Sequence, residues 1–159
     1  MGVSGSGKST IGRLLATCLG VAFVDADDLH PTENITRMAT GSPLRDEDRW
    51  PWLDAVGALL ARSESGLVVA CSALKVSYRQ RITRAASDTF FVHLVGSRAL
   101  ITDRLHERTD HFMPAQLLDS QFEALEELGS DENGAVVSAD HAEEDIVRWI
   151  CAHVTQWAR

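Results

Sequence analysis

The sequence is poor in the features that mark secreted, membrane-spanning and nucleic-acid-binding proteins. It has three cysteines, far apart and without a C-x-x-C pair, which favours reduced thiols in a cytoplasmic protein over a disulfide scaffold. No apolar run approaches the roughly 20 residues of a membrane span, and no signal peptide is visible. With 15 lysines and arginines against 23 acidic residues, broad binding to nucleic acid or anionic membranes is disfavoured. We therefore expect a cytoplasmic protein, for which an anionic substrate stays possible if positive residues cluster locally.

What the sequence does contain is a complete phosphate-binding motif at its start. Residues 2–9, GVSGSGKS, match G-x-x-x-x-G-K-[ST] and continue into a helical stretch. Glycines let main-chain N–H groups point at a β-phosphate, Lys8 can reach β- and γ-phosphate oxygens, and the Ser9 hydroxyl can ligate Mg²⁺. The predicted nucleotide-binding residues are Gly2, Val3, Ser4, Gly5, Ser6, Gly7, Lys8, Ser9 and Thr10.

The buried strand that normally precedes such a motif is missing from the sequence. These strands have about five or six residues, whereas only Met1 precedes Gly2. Loss of that strand would leave its neighbours unpaired and the phosphate loop unanchored on one side. We predict that upstream residues exist in the natural protein, or that this form is poorly stable and weakly active.

Along the rest of the chain, apolar strand-like runs alternate with amphipathic helices, the pattern of a parallel α/β sheet. Four strands are predicted, at 21–25, 67–71, 90–95 and 135–138. The first helix is predicted over 8–19, with Ile11, Leu14, Leu15 and Cys18 as its buried stripe. Residues 40–52 are interpreted as a polar, turn-rich connection, with the next long helix beginning at Pro51. We expect one domain over 1–159, with a substrate-binding segment at about 28–66 and a lid at about 104–116.

Two acids follow the first visible strand. Asp25 and Asp27 are two residues apart, so they project to the same side of an extended chain. Ligand crevices of parallel sheets form at the carboxyl ends of the strands, which would place both acids beside the phosphate loop. One acid could hold Mg²⁺ through water while the other orients or deprotonates a substrate hydroxyl. The alternative is an acidic loop that caps the next helix.

A basic segment follows the second visible strand and runs against the acidic balance of the chain. Lys75 and Arg79 are four residues apart and are the better candidates for an anion site. Arg81 and Arg84 are interpreted as part of a solvated helix face.

Arg104 and Arg108 repeat the same spacing further along the chain. On a lid, they could cover the transferred phosphoryl group and exclude water. They could equally be surface arginines that pair with Asp103 and Glu107.

Taken together, these blocks resemble the small gluconate kinases of the thermoresistant type. The matching blocks are GVSGSGKST at 2–10, DADDLHP at 25–31, PLRDEDRWPWL at 43–53, ACSALK at 70–75, RLHERTDHFM at 104–113 and SQFEALE at 120–126. The resemblance implies phosphorylation of the D-gluconate 6-hydroxyl by ATP, with Mg²⁺, and commonly a homodimer. It also implies a nucleoside-monophosphate-kinase-like P-loop fold, a three-layer sandwich whose five parallel strands have the order 2-3-1-4-5.

The resemblance further assigns roles to individual residues. By analogy with the related shikimate kinases, Asp27 would contact the reactive hydroxyl and Asp25 would act through Mg²⁺, which Ser9 also ligates. Arg104 or Arg108 would close over ATP, and the implied catalytic set is Lys8, Asp27 and Arg108. The implied substrate ligands are Asp27, His30, Arg49, Lys75, Arg79 and His111.

Two other functions stay open at this point. One is a kinase for another small hydroxy acid such as shikimate, although a shikimate kinase would be expected to carry a glycine triplet where this chain has residues 71–73. The other is a non-catalytic nucleotide-binding module. A GTPase-like switch is disfavoured because N-K-x-D is absent and the D-x-x-G at 131–134 follows no apolar strand.

Overall fold

Helices and parallel strands alternate along the chain in a computed structural model that describes residues 1–107 and 115–157. In chain order the elements are α1 (Lys8–Leu19), β1 (Ala22–Asp25), α2 (Thr32–Ala39), α3 (Asp46–Ala61), β2 (Leu67–Ala70), α4 (Val76–Ala85), β3 (Phe91–Val95), α5 (Arg98–His106), α6 (Ala115–Ala124), β4 (Gly134–Ser138) and α7 (Glu143–Trp157). A short 3-10 turn, Ala26–Leu29, follows β1. Within the two described ranges, no helix is both long enough and apolar enough to cross a membrane.

The four strands form two parallel pairs with a gap between them. In one pair β1 runs beside β2, with Asp25 opposite Ala70; in the other β3 runs beside β4, with Val95 opposite Ser138. In the predicted order 2-3-1-4-5 these are the pairs 2-3 and 4-5. The parallel α/β fold is thus confirmed, and the gap lies where that order places strand 1.

Residues 1 and 2 occupy one end of this gap. The Met1 amino group donates a hydrogen bond to the carbonyl of Val92, and the Leu94 N–H donates to the Met1 carbonyl at 3.0 Å. On the other side, the Gly2 N–H donates to the Ser72 carbonyl at 3.1 Å. This parallel pattern pairs Met1 with His93. From there, an apolar cavity of about 650 Å³ continues along the facing edges of β2 and β3.

Apolar clusters cover the strands on both faces. On one face, α1 and α7 pack against β3 and β4 through residues such as Leu15 and Ile150. On the other, α3 and α4 pack together through residues such as Val56 and Ile82. A third cluster joins Val3 of the phosphate loop to α5 and α6. The loop is therefore held by neighbouring helices as well as by its own turns.

The prediction that the long helix begins at Pro51 was wrong, because α3 begins five residues earlier at Asp46. Asp46, Glu47 and Asp48 fill its first turn, where carboxylates stabilise a helix. The Asp48 carboxylate also accepts a hydrogen bond from the Arg45 N–H at 2.9 Å, so the third residue of the helix satisfies the N–H of the residue that precedes it. The charges interpreted as a turn-rich connection instead form the start of a helix.

The predicted stripe of α1 and the predicted state of the cysteines also need correction. Leu14 is 40% exposed and Cys18 is exposed, whereas Gly12 and Ala16 are buried. The reason is close packing, since a Cβ on Gly12 would lie 2.6 Å from the Phe23 ring. Cys18 forms a disulfide with Cys151 of α7, contrary to the prediction of reduced thiols.

Candidate active site

The phosphate loop leads from the gap in the sheet into α1. Gly2, Gly5 and Gly7 have φ values of 140°, 81° and 92°, in the region that glycine enters without strain. A Cβ on Gly5 would also lie 2.9 Å from Leu105 Cγ. Gly7 precedes α1 without a side-chain cap. The N–H groups of the first turn of α1 can therefore serve an anion.

The two residues that follow Gly7 connect the loop to the end of β1. Lys8 Nζ donates a hydrogen bond to the Val3 carbonyl at 2.9 Å. Ser9 Oγ donates to Asp25 Oδ2 at 2.6 Å, and Asp25 Oδ1 accepts from the Asp27 N–H at 3.2 Å. The structure thus brings the predicted nucleotide-binding and acidic residues together at one edge of the sheet.

Ser9 and Asp25 fit a shared magnesium ion. Mg²⁺ prefers hard oxygen ligands, keeps several waters and is commonly held by one or two protein groups together with nucleotide phosphates. The Ser9 hydroxyl and the Asp25 carboxylate provide such oxygens beside the loop. In the described part of the chain, no group of three or more His, Cys, Asp and Glu residues could hold a metal by itself, so the remaining ligands would have to come from nucleotide and water.

Two further side chains reach the phosphate loop from α5 and α6. Arg104 Nη1 lies 3.8 Å from where a Cβ on Gly7 would be, and Arg104 Nη2 donates to the Ala139 carbonyl at 2.7 Å. Gln121 Oε1 accepts a hydrogen bond from the Ser4 N–H at 2.7 Å. Gln121 was not a predicted site residue, and its only sequence signal was its place in the SQFEALE block.

Two predicted site residues cannot be placed in this geometry. Arg108 and His111 lie outside the described residues, as does most of the segment predicted to form a lid.

On the substrate side, His30 packs flat against an aromatic residue. Its ring stacks on Trp52 with a centroid distance of 4.2 Å and an interplanar angle of 14°. Trp52 is itself fixed by a hydrogen bond of 2.6 Å from its indole N–H to the Ala26 carbonyl. Burial, and then the positive charge of Arg49, lower the pKa of His30 to about 4. His30 is therefore neutral near pH 7 and can both donate to and accept from hydroxyl groups.

Two predicted cations meet at one carboxylate, in a group that we call the Asp46 cluster: Asp46, Arg49, Lys75 and Tyr78. Lys75 Nζ lies 2.9 Å from each Asp46 oxygen, and the Tyr78 hydroxyl donates to Oδ1 at 2.5 Å. Arg49 Nη1 lies 3.9 Å from the same Oδ1 and donates to the Tyr78 oxygen at 3.3 Å. Hydrogen bonds from Lys75 and then Tyr78 lower the pKa of Asp46. Neither Asp46 nor Tyr78 was a predicted site residue.

The geometry is against the predicted role of Arg79 in substrate binding. Its side chain is fully buried, and its Nε and Nη2 atoms donate to the Glu132 carboxylate at 2.6 and 2.8 Å. The remaining guanidinium N–H groups are directed at the carbonyls of Ala73, Leu74, Glu126 and Glu127. The four-residue spacing from Lys75 misled because Lys75 is the extended N-cap of α4, outside the helix proper. We therefore do not retain Arg79 as a substrate ligand.

A strained residue lies between the phosphate loop and the Asp46 cluster. Ala73 has a φ of 42° and is buried, a conformation that costs a non-glycine residue on the order of 1 kcal/mol. The carbonyl of its neighbour Ser72 accepts the hydrogen bond from the Gly2 N–H, and the Ala73 carbonyl accepts one from Arg79. This is also one of the positions where a shikimate kinase was expected to have glycine.

Comparisons with known proteins agree with this geometry. Residues 4–156 match the model of the shikimate kinase family. The chain is 47% identical to the thermosensitive gluconokinase of Escherichia coli K12, over 86% of this chain and 74% of the relative. It is 44% identical to the thermoresistant gluconokinase of the same strain, over 92% and 86%. A crystal structure of a gluconokinase from Sinorhizobium meliloti 1021 superposes with a TM-score of 0.90 at 45% identity, over 98% of this chain and 89% of that one.

Proposed function

We propose that this chain, which belongs to the gluconokinases and matches the shikimate kinase family model, transfers the γ-phosphoryl group of ATP to the 6-hydroxyl of D-gluconate. The product is 6-phospho-D-gluconate. The observation that carries the proposal is the identity of 44–47% to two gluconokinases over most of both chains. The arrangement of phosphate loop, acids and cations along one edge of the sheet supports it.

The nucleotide end of the reaction is assigned to the loop and its neighbours. N–H groups of residues 4–9, together with Lys8, hold the triphosphate, and Thr10 extends the same turn. Bound Mg²⁺ would neutralise charge on the β- and γ-oxygens, with Ser9 as a ligand and Asp25 acting through water. Arg104, and Arg108 from the segment assigned as a lid at about 104–116, cover the transferred group. Most of the catalysis comes from positioning and charge stabilisation.

The substrate end is assigned to the segment at about 28–66 and to the start of α4. Asp27 lies two residues beyond Asp25 and accepts or orients the proton of the attacking hydroxyl. His30 is neutral and stacked on Trp52, which suits hydrogen bonding to hydroxyls. Arg49 and Lys75 supply the positive charge for the gluconate carboxylate, and His111 is retained as a further ligand. All these groups belong to one proposed domain over 1–159.

A panel of acceptors tests the reaction directly. ADP release is measured with ATP and gluconate, shikimate, other sugar acids and nucleoside monophosphates. We expect kcat/KM for gluconate to exceed that of each other acceptor by about 100-fold or more. A site that hydrogen-bonds several hydroxyls rejects ligands that leave its own polar groups unpaired. A preference for shikimate would replace the proposal with the alternative activity, phosphorylation of shikimate. ATP binding without transfer to any acceptor would support a non-catalytic module.

The setting of the enzyme is proposed more coarsely. We propose a homodimer in the cytoplasm, by analogy with the gluconate kinases that the sequence resembles. Sedimentation velocity on the purified chain measures the oligomeric state, and a monomer at micromolar concentration would contradict the dimer.

A further inference from the structure

We infer that Asp46 sets the charge of the substrate site, so that the site accepts a sugar acid with one carboxylate and discriminates against sugar dicarboxylates. The inference rests on the proposed function, because it concerns the acceptor site of that reaction. It assigns a specificity-determining role to a residue that has no place in the proposed chemistry itself.

The first argument is the balance of charge in the Asp46 cluster. Two cations, Arg49 and Lys75, approach one carboxylate, which leaves a single formal positive charge. Asp46 stays ionised because hydrogen bonds from Lys75 and Tyr78 hold its pKa below the ordinary value. One remaining positive charge matches one carboxylate on the ligand.

The second argument is a division of labour between the two cations. Lys75 is paired with both oxygens of Asp46, each at 2.9 Å. Within the described residues, the hydrogen bonds of Arg49 all come from Nη1, to Leu44 and Tyr78. Its Nε–H and Nη2–H groups can therefore form the two-pronged contact that a carboxylate accepts. Arg49 can therefore contact the ligand carboxylate directly, while the charge that Lys75 contributes to the site is largely balanced by Asp46.

The third argument is the location of the cluster. Lys75 precedes α4 and follows β2, and the last residue of β2, Ala70, is in register with Asp25 of β1. Arg49 is close enough to His30 to lower its pKa. The cluster therefore lies at the sheet edge that carries the proposed acceptor residues. Its side chains keep contact with solvent, with 37% of Asp46, 29% of Lys75 and 26% of Arg49 exposed.

The test compares two ligands that differ in charge on the same six-carbon skeleton. Dissociation constants of D-gluconate and D-glucarate, a sugar dicarboxylate, are measured by calorimetric titration of the whole chain. Asp46→Asn releases the charge of Lys75, so it should tighten glucarate about ten-fold and gluconate about three-fold, because a dianion gains more from an added charge than a monoanion. Lys75→Gln removes a cation instead and should weaken glucarate more than gluconate.

Two further variants separate this role from a structural one. Adding Lys75→Gln to Asp46→Asn should return the ratio of the two dissociation constants to that of the unmodified chain, because both charges are then gone. The matched control is Asp54→Asn, which removes a carboxylate paired with Arg81 across the same helices α3 and α4 at 2.6 Å. This control should leave the ratio unchanged.

The outcomes distinguish the inference from the proposed function. An unchanged ratio in Asp46→Asn, or a double variant that does not revert, overturns the inference. If Asp46→Asn does not fold, an unchanged ratio in Lys75→Gln overturns it instead. An unmodified chain that binds both acids but transfers no phosphate overturns only the proposed function, and one that binds neither overturns both.

Discussion

The phosphate loop and the Asp46 cluster are assigned to opposite ends of one reaction, and they are built in different ways. The loop uses main-chain groups of successive residues, bent by glycines at positive φ. The cluster uses side chains from two helices, and Asp46 and Lys75 are 29 residues apart. A site of main-chain groups depends on local sequence and on anchoring of its ends. A site of side chains depends on how two helices pack, so the two regions should respond differently to substitution.

The largest expected effect comes from removing the lysine of the phosphate loop. Lys8→Ala should lower kcat by about 10³-fold, since the loss of one group that stabilises transition-state charge has that size. The melting temperature should fall by much less, because Lys8 is half-buried and donates to a loop carbonyl. Steady-state assays and thermal melts of both proteins measure this. Near-normal turnover in the variant would remove the loop from the mechanism.

The Asp46 cluster should depend on buried Arg79 more than the phosphate loop does. Arg79→Met leaves Glu132 without its partner at a site where the arginine is fully buried, and breaking such a pair costs about 3 kcal/mol. We expect a lower midpoint in urea denaturation and a raised KM for gluconate, with KM for ATP less affected. Arg81→Met removes a more exposed ion pair of the same helix and serves as the control. Equal loss in both variants would contradict a special role for Arg79.

Residues that fill the gap between β2 and β3 should anchor the phosphate loop more firmly. Four or five apolar residues added before Met1 should pair with both strands and enter the cavity of about 650 Å³. Burial of apolar side chains less the cost of ordering them leaves a gain of roughly 3 kcal/mol, or several degrees in melting temperature. An extension of glycine and serine of equal length is the control. No gain of the apolar extension over that control would contradict a strand position in the gap.

The same extension should change the pH dependence of stability. Burial, and then the positive charge of Lys8, lower the pKa of the Met1 amino group to about 5. An unfolded chain takes up a proton on this group below about pH 8, whereas the folded chain does so only near pH 5. The contribution of this amino group to the free energy of unfolding is therefore fully present above pH 8 and is lost as the pH falls from 8 to 5. Urea denaturation at several pH values should show this loss in the present chain. The loss should be smaller in the extended chain, where the Met1 nitrogen belongs to a peptide bond and cannot titrate.

The smallest expected effect concerns a histidine that serves neither region directly. Both ring nitrogens of His93 are buried without a partner among the described residues, and burial chiefly lowers the pKa of His93 to about 4. The contribution of neutral His93 to stability should be lost as the pH falls from 6.5 to 4. His93→Leu should reduce this dependence, whereas exposed His141→Gln should not. An unchanged pH profile in His93→Leu would show that His93 is protonated in the folded chain.

Sequence patterns located the elements well where local signals and burial agree. The first helix is found at Lys8–Leu19, as expected from the motif and from Gly20 at its end, and the four strands lie within one residue of their predicted bounds at each end. The start of α3 was misplaced because proline was taken as the first helical residue. The capping by Asp48 that decides the true start involves side-chain geometry. Arg79 was misassigned because charge and spacing do not reveal burial.

The phosphate loop and the alternation of strands and helices could be predicted from residues close together in the chain, and the family from the order of short blocks along it. Which charged residues lie at the site could be read only from how distant segments pack. The tertiary structure paired Asp46 with Lys75, placed Gln121 on the loop, buried Arg79 on Glu132 and joined Cys18 to Cys151. The physical reason is that the partner of a charged or polar side chain depends on which segments pack together, and that information is absent from local spacing.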